Sequence, residues 1–187
     1  QTSNLLPLAL DMVPDGRVDF VIERLLTSVE DQYDDHLDTG IVGTRFLFDV
    51  LTKIGRTDLA YRVASRKSYP GWGYMLTEDA TTLWERWEKL TGRGMNSHNH
   101  IMLGSVDAWY YKTIAGIEPI EAGWRRVRFA PRAIGELDWA SAWVDTVCGR
   151  VAISWEITRD PSTEQLSVAV EVPVGATGEV IVPAKPT

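Results

Sequence analysis

A chain of 187 residues with 44% hydrophobic and 24% charged side chains can form one large domain or two small ones around a real core. Its net charge of −7 excludes the clustered basic footprint of a nucleic-acid surface, and no run approaches the ~20 apolar residues of a membrane-spanning helix. The single cysteine, Cys148, excludes an internal disulfide framework and a multi-thiolate zinc site.

The chain opens Gln1-Thr2-Ser3-Asn4 without an initiator Met or a basic-then-apolar leader, and it reads as a stretch of a longer polypeptide. Helical periodicity runs through the first 118 residues. After Pro14-Asp15-Gly16, the residues Val18, Ile22, Leu25, Leu26 and Val29 form one apolar stripe, with Asp15 as the expected N-cap. The acidic residues Asp31, Asp34, Asp35 and Asp38 break the pattern and read as a solvated connection. A second helix is expected from a Thr44 cap, burying Phe46, Leu47, Val50, Leu51 and Ile54. Gly55 stops it, and Thr57 caps a third helix with Leu59, Ala60, Val63 and Ala64 inward, so the two make a helical hairpin. Tyr69-Pro70-Gly71-Trp72-Gly73 reads as a loop. A further helix is expected over about 99–114, with Met102, Val106, Trp109, Tyr110 and Thr113 on one face and Gly116 ending it.

The period then drops to two. Val127 and Phe129 alternate with arginines, and Trp139, Ser141, Trp143 and Asp145 oppose Ala140, Ala142, Val144 and Thr146. Val151, Ile153, Trp155 and Ile157 repeat the rhythm, as do Leu166, Val168, Val170 and Val172, and Val180, Ile181 and Val182 close it. Turns are expected at Cys148-Gly149, Asp160-Pro161-Ser162 and Pro173-Val174-Gly175. Short strands joined by tight turns predict an antiparallel β-sandwich. The residues therefore describe an α+β two-part chain, helical over 1–118 and β over 119–187.

Eight tryptophans are many for this length, and residues 69–111 concentrate them with tyrosines. Neutral sugars bind by stacking their C–H faces on aromatic rings, so a Trp-rich stretch carrying Glu, His and Asn points toward carbohydrate. The sharpest signal is Glu85, between Trp84 and Trp87. A carboxyl beside indole rings loses hydration, which suits it to proton transfer in glycoside hydrolysis. The same residues also fit a capping box, Thr82-Leu83-Trp84-Glu85, in which Glu85 only satisfies a helix-start N–H. The motif alone leaves both readings open. His98 and His100 are spaced poorly for a metal on a helix, so no metal or cofactor is expected. Phosphate-loop, serine-elbow and catalytic-cysteine patterns are absent from the sequence.

Three ordered blocks resemble the C-terminal part of bacterial α-L-rhamnosidases of glycoside hydrolase family 78. They are Tyr69-Pro70-Gly71-Trp72-Gly73-Tyr74-Met75, Ala80-Thr81-Thr82-Leu83-Trp84-Glu85-Arg86-Trp87, and Ser97-His98-Asn99-His100-Ile101-Met102-Leu103-Gly104-Ser105-Val106. Gln1-Thr2, His36-Leu37 and Thr39-Gly40-Ile41-Val42-Gly43-Thr44 upstream, and Gly123-Trp124-Arg125-Arg126-Val127 through Gly149-Arg150-Val151 downstream, extend the likeness. The resemblance implies a partial (α/α)6 barrel followed by a β-sandwich and an inverting hydrolysis of α-L-rhamnosides. It also implies Glu85 as general base, His100 as a sugar contact and Trp72 as a sugar-packing ring. The family's acidic segment carrying the general acid has no counterpart here, so the acid is expected in the N-terminal part of the same enzyme. The rival expectations are a related barrel acting on another sugar, and a non-catalytic sugar-binding or assembly module.

Overall fold

The computed structural model describes residues 1–160 and 163–182. It divides into two compact units, Gln1–Val106 and Asp107–Thr187.

The first unit is helical: α1 (Thr2–Ala9), α2 (Val18–Thr27), α3 (Ile41–Lys53), α4 (Thr57–Ser65) and α5 (Trp72–Thr77). Helix α1 packs on α2 and α3, α3 on α4, and α4 on α5. Leu5, Leu25, Val29, Leu37, Leu47, Leu51 and Leu59 belong to its core, each fully or almost fully buried. At about 1.5–3 kcal/mol per buried aliphatic side chain, this cluster dominates the stability of the unit.

Helix α2 begins later than Asp15 suggests. Gly16 takes φ +77°, Arg17 N donates to Pro14 O in a turn, and Arg17 becomes the N-cap with no side-chain cap bond. Of the expected stripe only Leu25 and Val29 are buried, with Ile22 and Leu26 half-buried and Val18 exposed, and the helix passes into a π-helical turn at Ser28–Gln32. Thr44 is likewise not a cap. Helix α3 starts three residues earlier, and the buried Thr44 hydroxyl bonds back to Gly40 O at 2.9 Å and to Thr39 Oγ1 at 2.9 Å. Gly55, at φ +81°, ends α3 as expected, whereas Thr57 is the first residue of α4 and Arg56 its cap. Leu59, Ala60, Val63 and Ala64 are all buried.

A charged network ties α4 to the connection before α3. Arg56 grips Glu30 with both guanidinium nitrogens, at 2.9 and 2.5 Å, and Arg62 bonds Asp35 at 2.9 Å and Asp58 at 2.8 Å. The hydrogen bond from Arg56 holds the Glu30 carboxyl below its ordinary pKa of 4.5. A depressed carboxylate contributes stability above its unfolded pKa, and that contribution disappears as pH falls through the folded value. Glu30→Gln should therefore cost about 1 kcal/mol near neutral pH and progressively less in acid. Thermal melts of the full-length enzyme at neutral pH and well below 4.5 check this, with equal losses at both pH values counting against it.

Residues 78–100 form no α-helix, only the 3-10 turn Gly92–Gly94. From Ile101 the chain is helical to Ala115 in three windings: 3-10 (Ile101–Ser105), α6 (Val106–Trp109) and π (Tyr110–Ala115). The expected single helix thus exists as a composite, and Met102 and Tyr110 are exposed while Val106, Trp109 and Thr113 are buried. Gly116 ends it at φ +87°, where a Cβ would sit 2.5 Å from Ala130 C. Only glycine fits that conformation and that approach.

The second unit holds two three-stranded sheets. One orders β1 (Ile117–Pro119), β2 (Arg126–Phe129) and β6 (Thr177–Val180); the other orders β3 (Trp139–Thr146), β4 (Gly149–Asp160) and β5 (Thr163–Glu171). The meander β3–β4–β5 is antiparallel with its first turn at Val147-Cys148, as expected, whereas the expected turn at Asp160-Pro161-Ser162 falls on Pro161 and Ser162, which lie outside the described residues. The first sheet corrects the all-antiparallel expectation, since β6 runs parallel to β2, Arg126 opposite Thr177 and Phe129 opposite Val180. Parallel neighbours need a long connection, and the whole second sheet supplies it. Of the expected closing run Val180, Ile181 and Val182, only Val180 lies in β6, although Ile181 N still donates to Phe129 O just past it. Val127, Phe129, Val151, Ile153 and Trp155 form the core, and Trp155 Nε1 donates to Ile114 O at 3.0 Å.

Candidate active site

The irregular stretch 78–100 has its own logic. Thr82 Oγ1 donates to His98 O, His100 N donates to Leu83 O at 2.8 Å, and Glu85 N donates to Ser97 O at 2.9 Å. The Glu85 carboxylate returns the favour by accepting from Ser97 N at 3.0 Å through Oε2. Both halves of the apparent capping box are therefore bonded to residues 97–98 instead of to a helix start. No helix forms there because tertiary partners satisfy these groups first.

The flanking tryptophans act as anchors. Trp84 is buried, stacks on the His98 ring at 4.9 Å and meets Tyr74 edge-on at 6.4 Å. Trp87 is buried too, donates from Nε1 to Thr39 O at 2.7 Å, and packs edge-on against Trp72 at 5.1 Å. With both neighbours fixed, the half-buried Glu85 between them has little freedom to move.

Glu85 lines a cleft of about 410 Å³ together with Asp38, Thr39, Tyr69, Trp87 and Glu88. Oε1 of Glu85 has no protein hydrogen-bond donor among the described residues, so one oxygen is held and the other is available. Partial burial, then the nearby Glu88 carboxylate, raise the Tyr69 phenol above its ordinary pKa, and the neutral phenol is a hydrogen-bond donor. The cleft thus combines a positioned carboxylate, an indole wall, a phenol and further acceptors, a composition suited to a polyhydroxylated ligand.

The structure places the other two expected site residues differently. Trp72 opens α5 instead of lying in a loop, because the tight chain at Gly73, where a Cβ would fall 2.4 Å from Arg66 O, allows the helix to start at once. Its ring sits between Phe48 at 5.6 Å and Trp87, and its Nε1 donates to Leu103 O at 3.0 Å. His100 is half-buried at the start of the 3-10 turn, with Nδ1 accepting from Met102 N at 3.4 Å. Neither ring lines the cleft, whereas Asp38, expected as a solvated connection, Thr39 and Tyr69, present in the motifs without an assigned role, and Glu88 do. Among the described residues no group of three or more His, Cys, Asp or Glu is placed to hold a metal, and no helix is long and apolar enough to cross a membrane.

Comparison with known proteins matches this geometry to one family. Residues 1–114 match the model of the bacterial alpha-L-rhamnosidase 6 hairpin glycosidase domain, and residues 116–187 that of the bacterial alpha-L-rhamnosidase C-terminal domain. An alpha-L-rhamnosidase of Alteromonas sp. (strain LOR) is 36% identical over 98% of the chain and 20% of its own length. The structure of an alpha-L-rhamnosidase from Dictyoglumus thermophilum superposes with a TM-score of 0.92 at 50% identity, over 98% of the chain and 20% of that protein. A Streptomyces avermitilis alpha-L-rhamnosidase complexed with L-rhamnose gives a TM-score of 0.88 at 38% identity, over 99% of the chain and 18% of that protein. The chain spans about a fifth of the length of the relatives it matches. A helical hairpin domain followed by a small sheet-rich domain, with these likenesses across both, makes the chain a member of the bacterial α-L-rhamnosidase family of glycoside hydrolases.

Proposed function

We propose that the chain is the C-terminal part of an inverting glycoside hydrolase that removes terminal α-L-rhamnose, with Glu85 as general base. The observation that carries this is the Glu85 carboxylate held at the cleft by Ser97 N with its second oxygen available to a water. An inverting base must sit across a sugar from an acid roughly 6.5–9.5 Å away, leaving room for that water. We assign the acid to a segment outside this chain. The L-rhamnose bound by the Streptomyces avermitilis relative supports the substrate class. His100 is assigned to contact the sugar, and Trp72 to the sugar-packing face through its edge-on hold on Trp87. Residues 1–118 then belong to an (α/α)6 barrel and 119–187 to a β-sandwich. The exposed Leu10, Met12 and Phe20 support the barrel reading, because a complete barrel would cover such an apolar face.

Proton NMR of aryl α-L-rhamnoside hydrolysis by the full-length enzyme tests the reading. β-L-Rhamnose should be the first product, and the isolated 187-residue chain should release none. Early α-L-rhamnose would sink the inverting assignment, and turnover by the isolated chain would sink the placement of the acid.

A further inference from the structure

The solvent face of the second sheet carries a feature that Glu85 chemistry does not use. Trp139 and Trp143, both on β3, are 67% and 55% exposed. Tryptophan is rarely left so open in a folded domain, because each exposed indole forfeits much of its apolar burial. Four residues along one strand put the two rings on the same face roughly 13 Å apart.

The register defines what lies between and around them. Ser141 and Ser154 pair directly, with Ala169 beyond Ser154, so the floor between the rings is small and hydroxyl-bearing. Glu156 faces Trp139, Ala152 faces Trp143, and Glu171 follows Ala152 on β5. The Arg150 guanidinium lies 5.8 Å from the Trp143 ring centroid and bonds Asp145 at 3.0 Å, which braces that indole. A depression of about 390 Å³ lies beside Trp139, over Ser141, Ser154 and Ala169.

We propose that this face is an accessory binding platform for an uncharged polysaccharide chain. The two indoles offer flat surfaces for sugar C–H faces, and the serine floor between them is low enough for a chain to lie across both. The carboxylates of Glu156 and Glu171 accept hydrogen bonds from sugar hydroxyls. Charge selects the class: among the described strand residues of this face, Asp145, Glu156 and Glu171 outnumber Arg150, so polyuronates, nucleic acids and anionic membranes are disfavoured. A continuous apolar patch would suit a protein partner better, but here the rings are separated by hydroxyls and flanked by charge. The platform would hold the enzyme on a glycan while the cleft acts on terminal sugars.

Native gels cast with a neutral β-glucan, a galactomannan or polygalacturonate test this on the full-length enzyme. The wild type should be retarded by at least one neutral polymer and not by polygalacturonate. The double variant Trp139→Ala/Trp143→Ala should weaken that retardation by at least about tenfold, as expected for two lost stacking surfaces. Ser141→Arg, which keeps both tryptophans and blocks the floor, should do the same. Hydrolysis of a small aryl α-L-rhamnoside and the melting temperature should stay unchanged in every variant. The proposal is overturned if neither neutral polymer retards the wild type, if polygalacturonate retards it equally, or if the variants are retarded like the wild type. A variant that loses small-substrate activity or melts earlier overturns it as well, because the face would then be packing against another part of the enzyme.

Discussion

Glu85→Gln in the full-length enzyme is expected to lower kcat on an aryl α-L-rhamnoside by on the order of 10³-fold while KM changes only a few-fold. Glutamine keeps the shape of the side chain, and its carbonyl oxygen can still accept the hydrogen bond that Ser97 N now gives to Oε2. The backbone link from Glu85 N to Ser97 O is untouched, so the segment should remain in place. What is lost is the capacity to take a proton from water. A loss confined to kcat would mark an interaction made in the transition state, and kcat within about tenfold of wild type would remove Glu85 from the base role.

Trp87→Ala should have the largest effect on stability, about 3–5 kcal/mol, because it empties a buried indole site that few neighbours can collapse into. It also removes the wall of the cleft, the edge-on partner of Trp72 and the donor to Thr39 O in one change. Trp87→Phe separates these contributions. The phenyl ring keeps most of the packing but leaves the buried Thr39 carbonyl without its indole donor, which should cost about 1–3 kcal/mol. Denaturant unfolding of the full-length enzyme gives both values. If alanine and phenylalanine cost the same, the hydrogen bond to Thr39 carries the stability and the ring packing does not.

Local patterns in the sequence specify the structure where local forces decide it. The two-residue alternation of β3, β4 and β5 survived because their partners lie a turn away and one face must be buried. Gly55 and Gly116 end their helices because only glycine takes φ near +80° cheaply. The inward face of α4 was legible because packing on α3 selects the apolar side.

Other features depend on distant residues. The parallel pairing of β6 with β2 joins residues separated by the whole second sheet, so no short-range period announces it. Asp38, Thr39 and Tyr69 line the cleft with Glu85 through long-range packing, in which Trp87 reaches across to Thr39 O. Glu85 shows the division most sharply. Its residue type and its tryptophan neighbours were evident in the sequence, and the same letters fitted a helix cap equally well. The tertiary structure removes the helix-cap reading, because Ser97 and His98 satisfy Glu85 and Thr82 where no helix starts. A motif specifies which groups are available for bonding, and the partners brought in by the fold determine which bonds are made.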